Sequence, residues 1–137
     1  MTNQIKYINP EGLMKSPAFS QAVTIGGKGK TIYIGGQNAV DAGGKTIGKG
    51  DIAAQTEQIM KNIGIILESA GATYKNLVKL NVYIKQGEDV QKAFEASQKF
   101  MPQNANPPLV TALFVAGMGN PDYLLEIEAT AFVSDND

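Results

Sequence analysis

The chain has 137 residues, 43% of them hydrophobic, with twelve basic and thirteen acidic side chains and a formal net charge of −1. These values describe one soluble domain over residues 1–137, long enough to bury its own core and without the cationic field that collects nucleic acid or anionic lipid. All twelve basic residues are lysines, and arginine, histidine, cysteine and tryptophan are absent. That excludes disulfides, thiolate nucleophiles, imidazole acid–base chemistry and histidine- or cysteine-ligated metals, so any chemistry falls to Glu, Asp, Lys, Tyr, Ser, Thr, backbone groups and water.

Met1 to Lys15 lacks the apolar stretch of a signal peptide, and the longest apolar runs, near Ile63–Leu67 and Leu113–Gly117, are too short to span a bilayer. A cytoplasmic protein with no membrane partner is expected. Gln21–Ile25 and Thr31–Gly35 are β-rich runs separated by Gly26-Gly27-Lys28-Gly29, which predicts a hairpin. A glycine-rich loop covers 38–50, and Asp51 then caps a helix. Ile52, Ile59, Met60, Ile63, Ile66, Leu67 and Ala70 follow at helical spacing, with Gly71 as the stop.

In Leu77–Lys85, Val78, Leu80, Val82 and Ile84 alternate with Lys79, Asn81, Tyr83 and Lys85, the pattern of a strand with one buried face. A second helix is predicted over Glu88–Met101, ended by Pro102 and Pro107-Pro108. Strands at Leu109–Ala116 and Leu124–Val133 close the chain. The order β-β-α-β-α-β-β predicts an α+β sandwich, two helices covering one face of a mixed sheet. Leu125, Ile127, Ala129, Ala131 and Val133 belong under the helices; Glu126, Glu128 and Phe132 point the other way. Leu109–Ala116 is apolar on both faces, and the helices can cover only one. A second subunit is the simplest cover for the other.

Two carboxylates two residues apart, Glu126 and Glu128, could activate a water if the surroundings raise one pKa. Spacing alone favours a solvated pair or a partnership with Lys79 on an adjacent strand, since ion-pair networks imitate catalytic sites. Gly35-Gly36-Gln37 ends a strand and offers bare backbone close to a ligand, or simply a bulge. Phe19, Phe94, Phe114 and Tyr123 suit either an aromatic pocket or the core. No cluster of metal ligands exists in the sequence, and no cofactor is expected.

The segments Ile32-Tyr-Ile-Gly-Gly-Gln37, Asp51–Gly71, Leu77-Val-Lys-Leu-Asn-Val-Tyr-Ile84, Asn106-Pro-Pro108 and Glu126-Ile-Glu-Ala-Thr-Ala-Phe-Val133 resemble the RidA (YjgF) superfamily, in the right order over Phe19 to Val133. The resemblance implies a chorismate-mutase-like α+β domain that forms a homotrimer, with small-molecule clefts between subunits. It also implies cofactor-free hydrolytic deamination of enamines and imines such as 2-aminoacrylate. Carried over by position, Glu128 falls on the water-positioning glutamate, Ala112 on the residue whose backbone carbonyl helps bind the substrate nitrogen, and Gly36 on the cleft glycine. Gly35 replaces a serine, Phe19 a tyrosine and Phe94 an asparagine, and Val110 stands at the arginine that clamps the substrate carboxylate. Losing a buried bidentate contact weakens binding by about 2–5 kcal/mol. Activity on 2-aminoacrylate is therefore expected to be weak, and a drier cleft is expected to raise the pKa of Glu128. The alternative is a trimer that binds a ligand or partner without turnover. Ribonuclease activity, a label on some members, is disfavoured by the acidic, arginine-free chain.

Overall fold

The computed structural model describes residues 4–103 and 105–135. The strands are β1 (Ile5–Ile8), β2 (Ala22–Ile25), β3 (Gly29–Gln37), β4 (Leu77–Lys85), β5 (Leu109–Val115) and β6 (Leu125–Ser134). The helices are α1 (Ile52–Ser69) and α2 (Val90–Gln98), with a single 3₁₀ turn at Tyr74–Asn76 leading into β4.

β3, β6, β4 and β5 lie side by side in that order, antiparallel except for the β4–β5 pair. A parallel pair cannot be closed by a tight hairpin, and α2 makes the crossover between these two strands. β1 and β2 form a separate antiparallel ladder. The expected hairpin between the second and third strands is therefore corrected. Lys6 pairs with Thr24 and Tyr7 with Val23, while β3 takes β6 as its partner. The alternating Ile5-Lys-Tyr-Ile8 run supplies an earlier strand that competes for the same ladder.

α1 starts where the Asp51 side chain accepts from the Ala54 amide at 3.1 Å, and beyond its end Gly71 adopts φ +78°. Its Ile52, Ile59, Met60, Ile63 and Leu67 are buried against the sheet face that carries Ile34, Leu80, Ile84, Leu125, Ile127, Ala129 and Ala131. This is the α+β layering expected from the alternation in β6. Gln55 is fully buried as well. Its amide donates to the Gly48 and Asp122 carbonyls and its oxygen accepts from the Leu124 amide, tying the loop before α1 and the residues just before β6 to the helix. α2 is shorter than Glu88–Met101 because Asp89 caps it, accepting from the Gln91 and Lys92 amides.

The opposite face of the sheet has no helix. Tyr33 is 83% exposed and Leu113 52% exposed. Phe132, expected on that open face, is buried, and a Cβ at Gly29 would overlap its ring. β5 is an edge strand of sequence Leu-Val-Thr-Ala-Leu-Phe-Val whose five central residues are exposed on both faces. An apolar edge of this kind is a template for a further chain. No helix among the described residues is long and apolar enough to cross a membrane.

Candidate functional site

The segment around Phe19 is fastened to the start of β5: the Ser20 hydroxyl donates to the Pro107 carbonyl at 2.6 Å and its amide to the Pro108 carbonyl at 3.2 Å. This attachment holds Phe19 beside α2 and β5, over a cleft of about 280 Å³. Phe94 of α2 and Val110 and Ala112 of β5 line the same cleft, so four of the residues expected in a site share one space. The β4–β5 register explains why: Val110 pairs with Leu80 and Ala112 with Val82, which puts both on the helix side of the sheet. The floor is Met60, Leu80, Val82 and Ile84. Three hydroxyls that line it are already engaged. Thr56 donates to the Ile52 carbonyl, Tyr74 to that of Met60 and Ser97 to that of Phe94.

Glu128 lies on the other face of the sheet. Its Oε1 accepts from the Tyr83 hydroxyl at 2.6 Å and from the Asn81 amide at 3.1 Å. These two donors, and to a smaller extent Lys79, favour the charged carboxylate and outweigh the opposing effect of burial, holding Glu128 below its ordinary range. The expectation of a raised pKa is corrected by this arrangement. Tyr83 is shifted the other way, upward, first by its bond to Glu128, then by burial and by the charges of Glu128 and Glu126.

Gly35 and Gly36 sit at an irregularity between Ile34 and Gln37 in the β3–β6 ladder. A Cβ added at Gly35 meets open space, whereas one at Gly36 would overlap the Glu126 carboxylate. Glycine at 36 thus lets Glu126 lie against bare backbone. Glu126 is half-buried and makes no hydrogen bond or ion pair among the described residues. It is the carboxylate that residue spacing alone could not separate from Glu128. The separating signal is the cross-strand register: Asn81 faces Glu128, and Tyr83 reaches it diagonally from its place opposite Glu126.

One chain therefore holds the expected site residues as two groups that it does not bring together. Phe19, Phe94, Val110 and Ala112 lie on the helix side at the β5 edge, and Gly36, Glu126 and Glu128 lie on the open side, with β4 between β5 and β6. No cluster of three or more potential metal ligands occurs among the described residues.

Comparison with known proteins gives this arrangement a context. The family model described as Endoribonuclease L-PSP matches residues 13–133. A RutC family protein of Pyrococcus abyssi is 35% identical over 114 residues, 83% of this chain and 85% of that protein. The human 2-iminobutanoate/2-iminopropanoate deaminase is 33% identical over 113 residues, covering 82% of this chain and 78% of the enzyme. Among solved structures, a Yersinia pestis protein of the conserved Rid family superposes with a TM-score of 0.83 at 32% identity, covering 96% of this chain and all (100%) of the other. RidA from an Antarctic Psychrobacter gives a TM-score of 0.68 at 26% identity, with 96% and 100% covered. The sheet order, the helix placement and the extent of these matches lead to one assignment: the chain belongs to the RidA/YjgF family.

Proposed function

We propose that the protein works as a cytoplasmic homotrimer in which the β5 half-site of one copy meets the Gly36–Glu126 half-site of the next, forming a cleft that binds a small metabolite and hydrolyses its C=N bond. The apolar, doubly exposed β5 edge supports such an assembly. In the reaction, water adds to the carbon of an imine, or of an enamine after tautomerisation. The resulting carbinolamine then collapses to a carbonyl compound and ammonia. A carboxylate accepts the proton from water and returns it to the departing nitrogen. The resemblance gives that role to Glu128. Glu126 is better situated for it, because Glu128 is committed to Tyr83 and Asn81 while Glu126 is unbonded against Gly36.

The observation that carries this reading is that unbonded carboxylate, in a chain 33% identical to a human imine deaminase. Neither a cofactor nor nucleic acid enters the chemistry. The test is ammonia release from paired imines with and without an α-carboxylate. Turnover of the carboxylate-free member, with weak turnover of 2-aminoacrylate, supports the reading. Robust turnover of 2-aminoacrylate would mean that another group replaces the missing arginine at Val110.

A second reading, ligand binding without turnover, is favoured by Val110 itself, since no arginine is available to clamp an anionic substrate. It predicts ligand-dependent thermal stabilisation and no ammonia release.

A further inference from the structure

The contact between Gly36 and Glu126 depends on residues that lie outside it. Between the Ile34–Ala129 and Gln37–Ile127 pairs, β3 carries one residue more than β6, and Gly35 and Gly36 take up the excess. Such a bulge keeps its place only if the ladder is fixed on both sides of it. On one side the pairing runs unbroken from Gly29–Ser134 to Ile34–Ala129. On the other, β3 ends at Gln37, directly after the bulge.

A side chain supplies the missing support. The half-buried Asn38 donates its side-chain amide to the Leu125 carbonyl at 3.1 Å, and Leu125 immediately precedes Glu126. Asn38 is itself held. Its own carbonyl accepts from the Val40 amide at 2.8 Å and from the Asn62 side chain at 3.4 Å, and Asn62 also donates to the Val40 carbonyl at 2.8 Å. Gln58, one turn earlier on α1, donates to the Asn62 side-chain oxygen at 2.9 Å. A run of neutral amides thus connects α1 to the bulge. Gln55 of the same helix accepts from the Leu124 amide at 2.9 Å, so both residues before Glu126 are tied from outside their strand.

We propose that Asn38 is a positioning residue for Glu126: its amide closes the β3–β6 ladder beyond the bulge and so holds the Gly36 backbone against the carboxylate. This deepens the function proposed above and rests on it for the role of Glu126, but the positioning is measurable without turnover.

The experiment compares the full-length protein with Asn38→Leu and Asn38→Asp, neither of which can donate the bond. For a carboxylate-free imine, kcat should fall about ten- to a hundredfold, the effect of a misplaced reacting group, with KM changed by less than about twofold. Melting temperature should fall by only a few degrees, as for one lost hydrogen bond. In protein labelled with ¹⁵N-glycine, Asn38→Leu should move the Gly36 resonance and leave that of Gly71, beyond the far end of α1, in place. The double variant Asn38→Leu/Glu126→Gln should be no slower than Glu126→Gln alone, because Asn38 acts through that carboxylate. Unchanged kcat in folded Asn38→Leu, or a double variant slower than Glu126→Gln, overturns the proposal. A Gly36 resonance unmoved by Asn38→Leu overturns the positioning alone, whereas full turnover in Glu126→Gln overturns the role of the carboxylate on which it rests.

Discussion

The Tyr83 hydroxyl donates to Glu128 Oε1 at 2.6 Å from the neighbouring strand, one position diagonal to the Asn81–Glu128 pair. A charge-assisted bond of this kind fixes both partners' protonation: the carboxylate stays ionised and the phenol stays protonated. Tyr83→Phe should move the Glu128 titration up towards the ordinary carboxylate range, as read by carbon NMR of labelled glutamate. An unchanged titration would show that Asn81 and Lys79 suffice.

The same bond has a pH signature in stability. The folded-state pKa of Glu128 is depressed, so its contribution is present above the unfolded pKa and is lost as pH falls through the folded value. For Tyr83 the folded pKa is raised, so its contribution holds below the unfolded value near 10 and is lost as pH rises through the folded one. Denaturant titrations of the protein and of Glu128→Gln should converge at acid pH and separate at neutral pH. A gap that persists in acid would place the effect of the substitution elsewhere.

Gly36→Ala tests the contact that exposes Glu126. The added Cβ overlaps the end of a flexible side chain rather than backbone, so Glu126 can swing aside. Melting temperature should change little while imine turnover falls about a hundredfold, the lower range for a displaced acid–base group. Gly64→Ala is the contrasting case. Its Cβ would overlap the Tyr74 ring and hydroxyl, which is bonded to the Met60 carbonyl. Overpacking should destabilise by about 1–3 kcal/mol, exceeding the helix-propensity gain of about 1 kcal/mol. Urea unfolding of both variants distinguishes the two outcomes.

How far the sequence reveals this molecule differs between fold and site. The α1 stripe, the Asp51 cap and the alternation in β6 are local signals, and they specify which faces pack. The partner of β2 was missed because pairing is non-local: Ile5–Ile8 and Gly29–Gln37 are both plausible strands, and nothing along the chain ranks them. Glu126 and Glu128 pose the same difficulty. Period-two alternation puts them on one face, but only the β4–β6 register brings Tyr83 and Asn81 to Glu128 and leaves Glu126 at Gly36. Val110 and Ala112 were legible as residues of β5, whereas their separation from the carboxylates by a whole strand was not.

That separation predicts complementation. If neighbouring copies join the half-sites, Glu126→Gln and Ala112→Phe disable opposite halves of each cleft. Refolding the two inactive variants together should regenerate some intact clefts and part of the turnover, with a trimer mass by light scattering. No recovery from well-mixed trimers would show that the two groups do not act in one cleft.

The most direct measurement compares Glu126→Gln with Glu128→Gln in hydrolysis of a carboxylate-free imine. Loss of about 10²- to 10⁴-fold in kcat at Glu126, with a smaller loss at Glu128, is the expected result. Full turnover in Glu126→Gln would contradict it and remove that carboxylate from the chemistry.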